Sequence, residues 1–474
     1  MADKYETPGV YIKEISTISP SVAQVETAIP AFIGYTEKAE KNGVSLINKP
    51  TRITSLTEYE QYFGTVDESD IAISVEVEII NDGTKNTISK ITPTLTSTTI
   101  FKMYYSLRFY FDNGGGPCYI ISVGKTSSFV SSNAATNMEN ALPKLKLEDD
   151  PTIIVFPDAN LITSTDTAYY GVYDKSLAQC AELGDRFTII DVKKKSSSSD
   201  TPIDNMRGEL SKNLKYGAAY FPYLTTTYNY KFNDASISVS ETVKDPDDAV
   251  ISGPTSKTMS NLLLGDLEYN AVKAEINRVL KVVLPPSSGM AGIYARVDRD
   301  RGVWKAPANV IVNAVSGPVE KITDNDQKTM NIDTTGGKSV NAIRYFTGKG
   351  VLVWGARTLA GNDNEWKYIS VRRFYNMVEE SVKKSSSWVV FEPNDANTWV
   401  KVKSMIENYL IKLWRLGALA GPTPEKAFFV KVGLGQTMTS LDILEGRMNI
   451  EIGMAVVRPA EFIILRFSHK MQES

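Results

Sequence analysis

Few groupings in the chain carry residue types and spacings suited to chemistry, and each also fits a plainer role. Gly114-Gly115-Gly116 has the composition of a phosphate cradle. Such a loop needs a strand before it and a helix after it, so that amide groups and a helix N-terminus face the anion. Here the order is reversed, with an aromatic-rich helical stretch before it and a strand-like run after it, so the glycines read as a helix stop. Gly124-Lys125-Thr126 has the ending of a Walker motif, but the position five before Gly124 is Tyr119 where the motif needs glycine. That triplet reads as a surface turn. Asp158 follows the apolar run Ile153–Phe156 at the carboxyl end of an expected strand, where α/β enzymes place functional groups. Helix capping explains an aspartate there equally well. Asp245-Pro246-Asp247-Asp248 and Asp298-Arg299-Asp300 have carboxylates for a cation but lack the glycine and terminal glutamate of a calcium loop, and both are expected to be solvated turns.

The totals point the same way. The 474 residues contain one histidine, His469, which excludes a His-ligated metal cluster and disfavours a Ser–His or Cys–His pair. Cys118 and Cys180 sit in apolar surroundings and offer neither a disulfide framework nor metal-ligand spacing. A net charge of −3 argues against general nucleic-acid binding. With no N-terminal apolar segment and no long apolar run, neither secretion nor membrane insertion is expected, and the chain reads as cytoplasmically made and reduced. No cofactor and no enzymatic activity are expected; the rival reading is an α/β enzyme with carboxylate chemistry at Asp158.

One charged face carries more information. Across Thr398–Leu416, Trp399, Val402, Ile406, Tyr409, Leu410 and Leu413 form an apolar stripe at helical spacing. Lys401, Asn408, Lys412 and Arg415 gather on another face, with spacings of seven, four and three. Residues 396–474 hold ten Lys/Arg against seven Asp/Glu on a chain that is acidic overall, a balance suited to an acidic partner surface.

The elements that position these residues are mixed. Leu56–Phe63 suits a helix capped by Ser55 and stopped by Gly64. Ile73–Ile79 alternates as a strand with one wet face and ends at the turn Asn81-Asp82-Gly83, and Val22–Ile29 is a further β-prone run. From Cys118 to Tyr220, strands Tyr119–Val123, Thr152–Phe156, Phe187–Asp191 and Ala218–Phe221 alternate with helices Ala134–Leu145, Thr167–Leu183 and Asp204–Tyr216, the pattern of an α/β layer with a largely parallel sheet. A polar insertion occupies Thr225–Thr258. The last third adds helices Leu267–Leu280, Ile369–Lys384 and Thr398–Leu416, and strands near Val310–Val315, Ala342–Phe346, Val351–Trp354 and Phe428–Val432. Two strand candidates close the chain: Met448–Met454, with a period of two, and Phe462–Phe467 beyond Arg458-Pro459. A chain end so rich in strand formers must pair with something, either its own body or another chain.

Several runs resemble the contractile tail sheath proteins of phages and phage-tail-like injection particles. They are Arg301-Gly302-Val303-Trp304-Lys305-Ala306-Pro307-Ala308-Asn309, Val353-Trp354-Gly355-Ala356-Arg357-Thr358-Leu359, Val371-Arg372-Arg373, Phe391-Glu392-Pro393-Asn394-Asp395 and Val457-Arg458-Pro459-Ala460-Glu461-Phe462-Ile463. Nearer the start, Thr7-Pro8-Gly9-Val10-Tyr11, Phe111-Asp112-Asn113-Gly114-Gly115, Asp185-Arg186-Phe187 and Tyr216-Gly217-Ala218-Ala219-Tyr220 also look like it. The polar stretches 65–100 and 225–258 match nothing.

The resemblance implies a mixed α/β tail-sheath fold, with a core domain from both chain ends, an inserted outer α/β domain and terminal β arms. The divisions would be an arm over 1–30, core over 31–64, outer domain over 65–265, tube-facing core over 266–445 and closing strands over 446–474. The implied function is that of a structural subunit polymerising as stacked six-fold rings around an inner tube and contracting to drive that tube through an envelope. A non-contractile fibre or capsid-like subunit is a further alternative. Partners would be other copies, an inner tube protein, baseplate and terminal cap proteins and related sheath chains, in a particle assembled in the bacterial cytoplasm. Val10, Tyr11, Ile12 and Ile15 at one end, and Ile450, Ile452, Phe462 and Ile464 at the other, are the candidate arm residues. Lys401, Asn408, Lys412 and Arg415 are the candidate tube contacts.

Overall fold

The computed structural model of the protein describes residues 21–97, 99–197, 199–262 and 267–464. Val10, Tyr11, Ile12, Ile15, His469 and the end of the Phe462–Phe467 run lie outside the described residues. The chain forms two compact units, one of Met1–Val25 with Val378–Val457, the other of Glu26–Met377 with Arg458–Ser474. The boundaries expected at 64/65 and 265/266 both fall inside the larger unit.

The reason is one nine-stranded sheet that draws on all three sequence regions. Its order is Val310–Ile311, Gly350–Trp354, Val340–Phe346, Gly217–Phe221, Phe187–Asp191, Ile153–Val155, Pro30–Thr36, Cys118–Lys125, Thr51–Ile53. The run from Val340–Phe346 to Cys118–Lys125 is parallel throughout, and antiparallel pairs close both sides. A parallel sheet must be covered on both faces, which is why its central strands are buried at every position. Phe32, Ile120, Val155, Ile189 and Tyr220 face helices Met103–Asp112 and Ser287–Arg301. Ala31, Ile33, Ile121, Ile154 and Ile190 face helices Ala134–Leu145 and Asp166–Leu183.

Local signals hold where they are strong. Leu56–Phe63 is a helix, with the Ser55 hydroxyl accepting from Glu58 N and Gly64 at φ 81°. Gly114 is the helix stop expected of it, at φ 99°. Asp245 Oδ1 accepts from the amides of Asp247 and Ala249 in an exposed turn. Three expectations need correction. Val22–Ile29 forms no strand; its Ile29 amide donates to Thr152 Oγ1 instead of to a ladder. The helix expected over Asp204–Tyr216 is Pro202–Glu209, and Asn213 beyond it adopts φ 53°. Asp298 is not in a solvated turn but in the helix Ser287–Arg301, and it is buried in an ion pair with Arg373. That helix is hard to foresee because Gly289 and Gly292 lower its propensity. Tertiary packing demands them: a Cβ at Gly292 would overlap the carbonyl oxygen of Tyr110, and one at Gly289 would overlap the Phe109 ring.

The two stretches without a match form one structure. Ile73–Asn81 and Asn86–Leu95 make a hairpin, Ile237–Lys244 and Val250–Thr258 make another, and Ile237–Lys244 pairs in parallel with Ile73–Asn81. Ile73, Val75, Val77, Ile237 and Val239 form the buried face of this four-stranded sheet. Lys257 bridges Glu241 and Glu268, tying the sheet to the helix Leu267–Val279.

Candidate functional site

Asp158 has the features that attract an enzymatic reading, but its carboxylate is already occupied. It is fully buried, its Oδ2 accepts from Tyr35 N at 2.8 Å and its Oδ1 from Lys102 N at 2.6 Å. Burial pushes its pKa from 3.8 up to about 6 against the pull of those amides. Even the backbone crowds it, since a Cβ at Gly34 would lie 2.6 Å from Oδ2. The Lys102 ammonium is turned to Val283 O at 2.6 Å, and burial lowers its pKa to about 8. Asp191 is similar: Ser287 N at 2.8 Å and Ser287 Oγ at 2.5 Å both donate to it, and burial raises it to about 7. These carboxylates strap segments together. Lys125 is exposed at a strand end that leads into a 3-10 turn, without a phosphate-loop geometry. Among the described residues no group of three or more His, Cys, Asp or Glu side chains is placed to hold a metal ion, and no helix is long and apolar enough to cross a membrane.

Two wide grooves of about 650 and 520 Å³ flank Arg207. Its guanidinium is spent on chain carbonyls, donating to Lys338 O at 3.1 Å and Thr329 O at 2.8 Å.

The surfaces suited to recognition lie in the smaller unit. Helix Ala396–Arg415 starts at Asp395, whose carboxylate accepts from Thr398 N. It buries Val402, Met405, Ile406, Tyr409, Leu410 and Leu413, as the apolar stripe requires. Lys401, Asn408, Lys412 and Arg415 are all exposed, and among the described residues the three cations form no ion pair, whereas Lys403 on another face pairs with Glu407 at 3.8 Å. Before the helix, Asn394 takes a hydrogen bond from Trp399 Nε1 and donates to Arg447 O, while Phe391 stands fully exposed at φ 71°.

Of the two closing strand candidates, Ile450–Met454 pairs within the chain. It runs antiparallel to Phe428–Val432, with Ile450 opposite Val432 and Ile452 opposite Val430. Among the described residues these two strands form a sheet by themselves, so each offers an outer edge. Two strands alone are marginal in water, and open edges accept further strands. Phe462 and Ile464 lie in no strand and are 69% and 79% exposed.

Sequence reasoning passed over the groups that hold the segments around Thr27 and Glu461. Arg357 meets Glu461 through Nε–Oε1 at 2.9 Å and Nη2–Oε2 at 2.5 Å. Arg373 meets Asp298 through Nη1–Oδ1 at 2.9 Å and Nη2–Oδ2 at 2.5 Å, and its Nη2 also donates to Thr27 O at 2.8 Å. Each arginine stood in a run that carried the resemblance, but no local spacing announces a partner far along the chain.

A family model described as the phage tail sheath C-terminal domain matches residues 361–470. The tail sheath protein of Burkholderia phage BcepMu is 31% identical over 142 residues, 29% of this chain and 29% of that protein. That of Vibrio phage KVP40 is 26% identical over 136 residues, 29% of this chain and 20% of that protein. These alignments span well under half of the curated relatives' length. Solved structures align from end to end. The sheath complex of PVC, an extracellular contractile injection system, in its contracted state is 29% identical and covers 99% of each chain at a TM-score of 0.64. A chain of the anti-feeding prophage baseplate structure, 6-fold symmetrised, is 30% identical over 98% of this chain and 100% of that chain, with a TM-score of 0.62. The chain therefore belongs to the tail sheath protein family.

Proposed function

We infer that this protein is a non-enzymatic structural subunit of a contractile sheath, which polymerises as stacked six-fold rings around an inner tube and shortens to drive the tube through a target envelope. The observation that carries this reading is the end-to-end alignment with contractile injection-system sheath structures, including the helical sheath of the anti-feeding prophage in its contracted state at 29% identity and a TM-score of 0.64. The same likeness favours an injection particle over a phage tail. Contraction would draw on the lattice energy of the extended sheath, so the subunit needs no nucleotide site.

Within this reading the smaller unit, Val378–Val457, faces the tube, a narrower assignment than 266–445. The free cations Lys401, Lys412 and Arg415, with Asn408, make salt-sensitive contacts that release as the sheath widens. The pair Phe428–Val432 and Ile450–Met454 receives strands from neighbours through main-chain hydrogen bonds. Ile450 and Ile452 thus belong to a receiving edge, and the crossing segments are residues 1–20, with Val10, Tyr11, Ile12 and Ile15, and the segment from Phe462 onward, with Ile464. The four-stranded sheet belongs to the inserted outer domain. Partners are an inner tube protein, baseplate and cap proteins and related sheath chains, in a particle assembled in the bacterial cytoplasm. Electron microscopy of the purified protein tests the reading. Rings, tubes or contracted cylinders are expected, and a strictly monomeric species at high concentration would overturn it.

A further inference from the structure

We propose that two buried arginine clamps root the terminal arms, so that load carried by an arm enters the larger unit at two set points, Thr27 and Glu461. The proposal rests on the reading of the chain ends as arms.

Both clamps grip extended chain that no ladder holds. Residues 21–29 and 458–464 contain no strand, so apart from the Thr152 and Ile153 amides on Ile29 O their hold on the body rests on side chains. At the amino-terminal root, Thr27 O accepts from Arg373 Nη2 at 2.8 Å and from Thr152 Oγ1 at 2.9 Å. The Thr27 hydroxyl in turn donates to Asp298 Oδ2 at 2.6 Å. Arg373 and Asp298 close the ring as a two-bond fork, with side chains 3% and 7% exposed. Arg373 also lies 4.6 Å from the Tyr294 ring centre, which fixes the plane of the guanidinium.

At the carboxyl-terminal root, the Arg357 fork on Glu461 is 7% and 18% exposed, and Arg357 Nη1 donates to Asn331 O at 3.1 Å. Asn341 holds the Arg357 backbone on both sides, accepting from its amide at 2.8 Å and donating to its carbonyl at 2.8 Å. Asn341 belongs to the strand Val340–Phe346 and also donates to Ala219 O in the neighbouring strand. A pull on residue 461 therefore reaches the middle of the nine-stranded sheet through one side chain and one amide. Immediately beyond it, Phe462, Ile463 and Ile464 are largely exposed.

Stability alone gives little reason for such pairs, because burying two charges costs about what their attraction returns. A fork does supply direction and register, which a hydrophobic contact does not. Lysine in place of either arginine would keep the charge and lose the fork.

The test uses the full chain and three near-isosteric variants, Glu461→Gln, Asp298→Asn and Thr27→Val. Hydrogen–deuterium exchange is read on the unassembled subunit over 24–29 and, as reference, 217–221, and chymotryptic cleavage is timed at Phe462. Glu461→Gln should speed cleavage at Phe462 by about tenfold or more, the effect of weakening charged hydrogen bonds, and leave exchange over both segments unchanged. Asp298→Asn should speed exchange over 24–29 by a similar factor, and Thr27→Val should do so by about threefold, as for one neutral hydrogen bond. An unchanged rate at the targeted root, or equal acceleration at 217–221, would overturn the clamp. Sheath assembly is then scored by sedimentation for the same variants beside a chain lacking residues 462–474. If that deletion assembles normally, the arm reading fails whatever exchange shows. If the deletion fails to assemble while Glu461→Gln assembles and resists shear like the parent, the load-bearing role of the clamp is overturned.

Discussion

Reversing the free cations, with Lys401→Glu, Lys412→Glu and Arg415→Glu in one chain, separates a tube-binding face from an ordinary wet one. Among the described residues none of the three forms an ion pair, so no bond between them is broken. Lys412 and Arg415 lie in the last turn of Ala396–Arg415, where negative charge opposes the helix dipole at about 0.3–1 kcal/mol per residue. The folding cost is therefore about 1–2 kcal/mol, too little to unfold a unit whose helix buries six large apolar side chains. An exposed opposite-charge contact contributes about 0.2–1 kcal/mol, and reversal turns attraction into repulsion. Three such sites shift tube binding by about 1–6 kcal/mol per subunit, and every subunit around a ring repeats the penalty. The assay is co-sedimentation of sheath subunits with preassembled tube over a salt series, with circular dichroism to confirm the fold. Loss of tube-templated assembly at low salt, with intact helical signal, is expected. Undiminished assembly at every salt concentration would refute the reasoning and leave the face as solvated surface.

Deleting residues 1–15 should leave a folded subunit that forms no stable or contractile sheath, as seen by electron microscopy; normal sheaths would remove the amino-terminal arm from the account. Gly292→Ala should lower stability to urea by about 1–3 kcal/mol, because the new Cβ overlaps a backbone oxygen that cannot swing away. Asp158 favours its protonated form in the folded chain, with a value near 6 against 3.8. The stability from that preference is full below pH 4 and disappears as pH rises through 6. Asp158→Asn should remove the dependence, so parent and variant should diverge by about 2 kcal/mol between pH 4 and pH 6 in urea titrations. A pH-independent difference would mean that the carboxylate is not held as described.

The parts of the fold legible in the sequence are those where local chemistry decides alone. Ser55 and Gly64 bound their helix because capping is satisfied within a few residues. The alternation of Ile73–Ile79 marks a strand with one wet face because side chains alternate along any strand. The apolar stripe of Ala396–Arg415 implied its exposed cationic face for the corresponding reason in helices.

Partner choice was not legible. Nothing local says that Ile73–Asn81 pairs in parallel with Ile237–Lys244, uniting two polar stretches that look unrelated. Asp298 sits in a charged run with Arg296, Arg299 and Asp300 and reads as wet, yet Arg373 takes its carboxylate into an ion pair with little solvent exposure. Of the two closing runs, both rich in strand formers, only the structure shows Ile450–Met454 against Phe428–Val432, because strand-forming composition does not name a partner and the available edge decides. The sequence by itself determined the strongly patterned elements, the family likeness and the scarcity of histidine, all properties of residue type and short spacing. Tertiary structure alone decided that Ile450–Met454 pairs with Phe428–Val432, that Arg357 and Arg373 reach Glu461 and Asp298, and that both Asp158 oxygens accept backbone amides, since each depends on groups brought together from distant parts of the chain.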